Sequence, residues 1–476
     1  MNKKYIQFIR TKKYKKLVKL LKNKRFKKED INKQLDNLKE KYNLTWDVCR
    51  KHAEYLANKY NVKSVLMLTK AEDVWCGVET CLYRNGKHLN FAKFGDYSTL
   101  RAKQIDRCII LKVKDDNIYF TYDKINLNIK KFDVFQKEEL EKVLKYLESP
   151  EVNDKKAVKA FESNKLTDTF RPCYATLVPQ KIRGKYRIYI HLTIEGKASI
   201  KRDKNGKPRH KYKSGIVASD IGTQTRAIVT DKLVELKNLA ERGNNILENE
   251  RKERLLYRAM ERSRRATNPQ NYNEDGTIKK GPKTWKYSKR YKKLRDKHKD
   301  LCRKNSVNRH LSINEDVNYL RSLGDTFITE PKNASKLAKK SKNTTFNKKG
   351  KINRKKRFGK SVKNRCPGYF QERAKQKFIS TGGTYIEVPI DYKASQYEHI
   401  KDDYIKKKLS QRMFNLDKNI KVQRDLYSAF LLFCYKDGNI DKDKCNKEFD
   451  KFYKKQNKFI KDVKKNNIKI LNSGIK

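Results

Sequence analysis

Between residues 214 and 435 short apolar runs alternate with long helical stretches, and that order restricts the fold more than any other feature. Gly215-Ile-Val-Ala-Ser-Asp220 is an apolar strand ending in a carboxylate. Ala227-Ile-Val-Thr230 and Leu233-Val-Glu-Leu236 read as the next two strands. A helix is expected over 240–266, then a loop at 268–282 rich in Asn-Pro, Asp-Gly and Gly-Pro, then a basic helix over 285–323. Thr326-Phe-Ile-Thr-Glu330 is a second strand ending in a carboxylate, and Tyr385-Ile-Glu-Val-Pro-Ile390 is a further strand. Val422 to Tyr435 reads as an amphipathic helix with Asp425 in its first turns. Strands and helices in this alternation predict an α/β domain.

Three acids, Asp220, Glu330 and Asp425, stand at element ends inside this region. Singly, each is what a turn or cap uses. As an ordered set they suit phosphodiester hydrolysis, where the substrate's negative charge repels the nucleophile. Two Mg²⁺ ions about 3.5–4 Å apart overcome this by activating a water and stabilising the leaving oxygen. Mg²⁺ takes a few carboxylates plus waters and phosphate oxygens. The turn Ile221-Gly222-Thr223 after Asp220 lets a phosphate approach the backbone, and Pro331 ends the strand that carries Glu330. Arg424, beside Asp425, either pairs with phosphate or balances the acid's charge. On pattern alone, a metal nuclease centre and three structural acids fit about equally.

Charge decides the class of partner. Lys and Arg number 118 against 55 Asp and Glu, a formal net charge of +63, while hydrophobic residues are 37% of the chain. Such a surplus repels itself unless a polyanion neutralises it, and a phosphate backbone does so along a whole face. A membrane partner is not expected: no apolar run nears 18 residues, and the N-terminus has no signal-peptide core. A cytoplasmic, nucleoid-associated protein is expected, encoded by a bacterium, phage or mobile element.

The remaining segments frame this centre. Residues 1–84 read as a helical region, with Asn43-Leu-Thr45 as a break and Thr45 as a cap. Over 85–213, Asn85-Gly86 is a hairpin signal. The runs Cys108–Val113, Ile118–Tyr122, Tyr174–Val178 and Tyr186–Thr193 predict a small antiparallel β-barrel interrupted by a charged helix near 136–165. Residues 332–365 form a low-complexity basic loop, either merely solvated or touching nucleic acid through Lys355, Lys356, Arg357 and Lys360. Residues 436–476 read as a basic helical tail. Tyr257, Trp285, Tyr287, Tyr291, Tyr319, Phe358 and Tyr369 either stack on unpaired bases or pack between helices. The nine cysteines include no CxxC pair and read as free thiols, and His399 reads as a surface residue.

The stretch SGIVASDIGTQTRAIVT (214–230) resembles the first RuvC motif of TnpB proteins and of their relatives, the type V CRISPR effectors. Phe327-Ile-Thr-Glu330 resembles the second motif. Lys393-Ala-Ser-Gln396 with Gln423-Arg-Asp-Leu-Tyr-Ser-Ala429 resembles the third-motif region, and Arg84 to Gly95 resembles part of the wedge barrel. The resemblance covers about residues 75–435. It implies an RNase H-like nuclease domain over 214–435 with a helical insertion at about 240–323, a wedge-like barrel over 85–213 and a helical recognition-like region over 1–84. It implies an RNA-guided DNA endonuclease whose partners are a guide RNA and target DNA, with specificity set by base pairing. Asp220 and Asp425 would hold two Mg²⁺ ions, and Glu330 would bind one and orient the water. The family's zinc ribbon after the Ser-Gln element is missing, since no cysteine lies between Gln396 and Asp425, so no structural zinc is expected. A nuclease-inactive RNA-guided repressor and a strand-transfer transposase on the same fold are the alternatives.

Overall fold

A computed structural model describes residues 2–21, 28–83, 89, 99–102, 109–114, 117–122, 125–129, 133–148, 170–196, 199–203, 205–210, 212–241, 246–339, 358–408 and 410–475. The chain divides into two compact units, Met1–Ser199 and Ile200–Lys476. Both mix helix and strand. No described helix is long and apolar enough to cross a membrane.

The first unit opens with five helices, α1 (Asn2–Arg10), α2 (Lys12–Leu21), α3 (Lys28–Lys41), α4 (Trp46–Tyr60) and α5 (Ser64–Tyr83). Thr45 caps α4 as its spacing predicts, accepting from the Val48 N–H, and Asn61 closes the helix in the left-handed region. Tyr5, Phe8, Leu17, Leu35, Leu44 and Val78 form one core. The strands that follow are β1 (Leu100–Ala102), β2 (Ile109–Lys114), β3 (Asn117–Tyr122) and β4 (Ile125–Asn128), then α6 (Val134–Glu148), β5 (Arg171–Ile182) and β6 (Lys185–Glu195).

Among the described residues the expected barrel is not formed. The strands make two three-stranded sheets, β2-β3-β4 and β1-β5-β6, over a shared core of Leu66, Leu111, Phe120, Val143, Phe170 and Ala175. Closure requires each edge strand to ladder with another. Here β4 and β6 each have one neighbour among the described residues, and β1 is only three residues long. The Asn85-Gly86 turn, all of Arg84–Gly95 except Leu89, and Cys108 lie outside the described residues, as does the far half of the helix expected at 136–165.

The second unit is built on a five-stranded sheet. Strands β7 (Ile216–Ile221), β8 (Thr225–Val229) and β9 (Val234–Asn238) form an antiparallel meander. After two long helices, α7 (Ile246–Thr267) and α8 (Lys289–Leu323), β10 (Thr326–Thr329) returns parallel to β7. Helix α9 (Pro367–Ser380) then leads to β11 (Thr384–Glu387), parallel to β10. The order across the sheet is β11-β10-β7-β8-β9. A hairpin, β12 (Met413–Asp417) and β13 (Ile420–Gln423), leads into α10 (Arg424–Phe433), and α11 (Lys442–Lys465) follows.

Alternation along the strands sends residues to two cores. Val217, Ile221, Ile228 and Phe327 meet Ile313, Val317 and Leu320 of α8 and Phe370 and Phe378 of α9. Ala218, Ala227, Val229 and Ile328 meet α10 and α11. The sheet is thus covered on both faces, which explains why its inner strands are nearly continuous apolar runs. The start of the parallel strands is tight: a Cβ on Gly324 would lie 2.2 Å from the Gly215 carbonyl oxygen, and one on Gly383 would lie 2.4 Å from that of Asp325. The segment 436–476, read as a basic tail, carries α11, whose Cys445, Phe449 and Phe452 lie in the second core.

Two further expectations are revised. His399 is buried rather than on the surface, packed against Tyr427, Phe430 and Phe449. Its backbone N–H donates to the Tyr427 hydroxyl oxygen, leaving that hydroxyl's proton for His399 Nδ1, 2.7 Å away. Burial holds the imidazole down at about 4. The basic loop of 332–365 contains two short helices, Ala334–Leu337 and Gly359–Arg365.

Candidate active site

Strand register brings the first two acids together. Thr329 of β10 pairs with Ser219 of β7, so Glu330 and Asp220 leave neighbouring parallel strands at the same level. By strand alternation Asp220 shares the face of Ala218, and Glu330 that of Ile328, which is the face covered by α10. Thr329 Oγ1 donates to the Ser219 carbonyl and Ser219 Oγ to that of Ala227, so the hydroxyls between the acids are spent inside the sheet.

Asp425 comes to the same place from the first turn of α10. The fully buried Gln423 caps this helix, its Oε1 accepting from Leu426 N–H at 2.7 Å. The same side chain donates to the Ser473 carbonyl, and its backbone N–H donates to Gln456 Oε1. The helix start is therefore fixed from three directions, and its free N–H groups favour an anion in the first turn.

Electrostatics shows the convergence. The Asp220 carboxyl is pushed up to about 7, chiefly by burial; Lys332 opposes this, and the negative charges of Asp425 and Glu330 add to it. Three cations surround the group. Lys332 Nζ lies 3.7 Å from Asp220, Arg412 3.5 Å from Asp425 and Arg424 3.3 Å from Asp425. Arg424 rests on its neighbour's carboxylate through both Nε and Nη2. Glu330 is aimed by the backbone: Oε1 accepts from Ala394 N–H at 3.0 Å, just after Lys393 in the left-handed region. Among the described residues the three acids do not form a group whose ligand atoms all lie within 4.8 Å of one another. They sense one another's charge while leaving room between them.

The donor set is all oxygen and largely buried, with Asp220 raised by its own burial and by the other two acids, which suits a hard divalent cation such as Mg²⁺ held by Asp220, Glu330 and Asp425. A cleft of about 990 Å³ lies by Phe433, Lys436 and Lys447 and is lined by none of these acids.

Of the other expected contacts, Lys355, Lys356 and Arg357 and the side chain of Lys360 lie outside the described residues. The aromatics divide. Tyr291 and Tyr319 are packed, Tyr319 donating to Glu235, and Tyr369 stacks on His310 at 4.3 Å. Trp285 carries Arg264 over its ring, whereas Tyr257, Tyr287 and Phe358 keep exposed surface. Lys332, Arg412 and the Ala394 N–H were not anticipated. Lys332, two residues after Glu330, is the one whose position carried a signal.

Compared with known proteins, the sequence matches no family model and no curated protein.

Proposed function

We propose that the chain is an RNA-guided DNA endonuclease that hydrolyses phosphodiesters at an RNase H-like, RuvC-type centre of the TnpB kind. The observation that carries the reading is the convergence of Asp220, Glu330 and Asp425, from two adjacent parallel strands and one helix start, so that Asp220 titrates in the field of the other two. The strand order, an antiparallel meander followed by two parallel strands on its β7 edge, supports it. So does the net charge of +63.

In this reading Asp220, Glu330 and Asp425 hold Mg²⁺, which supplies the charge that activates water and stabilises the leaving oxygen. The Ala394 N–H keeps one Glu330 oxygen occupied, so the other is left to orient the attacking water. Lys332, Arg412 and Arg424 neutralise the acids before substrate arrives and turn to phosphate oxygens when DNA lies across the strand ends. Guide specificity rests on base pairing, with Lys and Arg binding backbone phosphates.

The test has two parts. RNA that stays with the purified protein at high salt is sequenced; one discrete species with an end matching nearby DNA is expected, and a smear of unrelated RNA would remove the guide from the reading. DNA matching that end is then incubated with Mg²⁺. Asp220→Ala should abolish cleavage and leave nucleic-acid binding within about twofold, since one buried acid contributes little to phosphate contacts. Equal loss of both would make Asp220 structural, and joined rather than broken strands would favour transposition.

A further inference from the structure

Among the described residues one group of side chains brings three metal-ligating atoms within 4.8 Å of one another, and it lies apart from the acid cluster. Glu253 on α7 faces His298 and Cys302 on α8, with ligand atoms all within 4.8 Å of one another. His298 and Cys302 are four residues apart on one helix, so they stack on one face. Cys302 Sγ lies 3.8 Å from Glu253 Oε1 and 3.8 Å from His298 Nε2, and His298 Nε2 lies 3.7 Å from Glu253 Oε1.

These separations are informative in two ways. At 3.7 Å the histidine and the carboxylate are too far apart for a good hydrogen bond, so they do not satisfy each other. Zinc bonds of about 2.3 Å to sulfur and 2.0–2.2 Å to nitrogen and oxygen give a tetrahedron with edges of roughly 3.4–3.6 Å. The three observed edges exceed that by a few tenths of an ångström, which side-chain rotation removes. The residue types point the same way. Thiolate and imidazole select zinc and its neighbours, whereas the all-oxygen cluster of Asp220, Glu330 and Asp425 suits magnesium.

Few fully buried apolar side chains seal the helix pair at this level among the described residues. Among the described residues of α7, Met260 is the one buried apolar side chain, and between Lys289 and Leu311 of α8 it is Tyr291. A metal joining the helices would supply what packing does not.

We propose that Glu253, His298 and Cys302 bind one zinc ion that clamps α7 to α8, with the fourth position left to solvent in the adjoining cleft of about 400 Å³ lined by Glu253, Tyr257 and Lys363. Binding displaces the thiol proton to solvent and leaves the imidazole neutral. Lys363 Nζ, 3.1 Å from Glu253 Oε1, is the resident competitor, and its side chain is 60% exposed, free to swing away. The site lies apart from the segment whose lack of cysteines led to the expectation of no structural zinc, and it does not depend on the nuclease reading.

The test uses the full chain, stripped with chelator and titrated with Co²⁺ as a spectroscopic stand-in. One equivalent should give the intense d–d bands of tetrahedral coordination and a thiolate charge-transfer band, both removed by added Zn²⁺. Cys302→Ser should lose the charge-transfer band, while Cys76→Ser, an exposed thiol elsewhere, keeps it. Lys363→Ala retains all three ligands and should bind Co²⁺ several-fold more tightly. Zn²⁺ should slow hydrogen exchange in 246–267 and 289–311. Bands that survive Cys302→Ser, absence of binding by the folded wild type, or unchanged affinity in Lys363→Ala would each overturn the site.

Discussion

Replacing Asp220 by Asn should stabilise the metal-free protein, and by more as pH rises. The carboxyl ionises at about 7 in the folded chain, against 3.8 ordinarily. A raised acid binds its proton more tightly folded than unfolded, so its favourable contribution is complete below pH 3.8 and is lost as pH rises through 7. At about 1.4 kcal/mol per tenfold, the full loss is on the order of 4 kcal/mol, of which roughly 3 kcal/mol falls above pH 5. The side chain is 13% exposed, so solvent screening takes only a small part. Asn keeps the shape and carries no charge. Its advantage over the wild type should therefore grow by roughly 2–3 kcal/mol between pH 5 and pH 8.5 in chelator. Denaturant-dependent hydrogen exchange in peptides spanning 216–229 reads this unit separately from residues 1–199. An advantage that stays constant with pH, or an Asn variant less stable at both, would refute the account of Asp220 as an acid strained by burial and by its neighbours.

Two other substitutions probe the frame. Arg226 on β8 is fully buried, bonded to Asp316 of α8 through Nε and Nη2 and to Glu235 of β9 through Nη1. Arg226→Ala leaves two acids facing each other and should cost about 3–5 kcal/mol in equilibrium unfolding; a loss under about 1 kcal/mol would mean the network is dispensable. His399, held at about 4 by burial, contributes stability that is complete above its ordinary 6.5 and is lost as pH falls toward 4. His399→Phe should flatten the stability–pH profile between 6.5 and 4 while losing about 1–3 kcal/mol for the orphaned Tyr427 hydroxyl, and an unchanged slope would show that another group titrates there.

The acids were legible because each marks a change of element. An apolar run stops at Asp220 before Gly222 and at Glu330 before Pro331, and Asp425 opens an amphipathic helix. What orients them was not legible. The Ala394 N–H reaches Glu330 across 64 positions, from a turn whose left-handed residue is a lysine. His399 was misread because it sits in a polar string, Ser395-Gln-Tyr-Glu-His, whose burial depends on a tyrosine 28 positions away. Arg226 lies in an apolar strand where a cation looks exposed, until acids from α8 and β9 close on it. In α11 the spacing of Cys445, Phe449 and Phe452 was visible, yet lysines on the other face masked it. The barrel failed for a topological reason, since alternating strands predict sheets readily but closure depends on which edges meet.

Charge balance at the strand ends bears on the order of events in the nuclease reading. Asp220, Glu330 and Asp425 face Lys332, Arg412 and Arg424, three acids against three bases, so without ligands the cluster is nearly neutral. A divalent ion held by the acids would offset most of their charge and leave the cluster with a positive surplus. Surplus cations at a half-buried site are costly unless an anion joins them. In the nuclease reading a DNA phosphate would be that anion, so cation and substrate would bind with positive coupling, each tighter in the presence of the other. The lysine and two arginines then do not compete with catalysis. They pair with the acids, and in the nuclease reading the same charge would draw a phosphodiester toward the carboxylates.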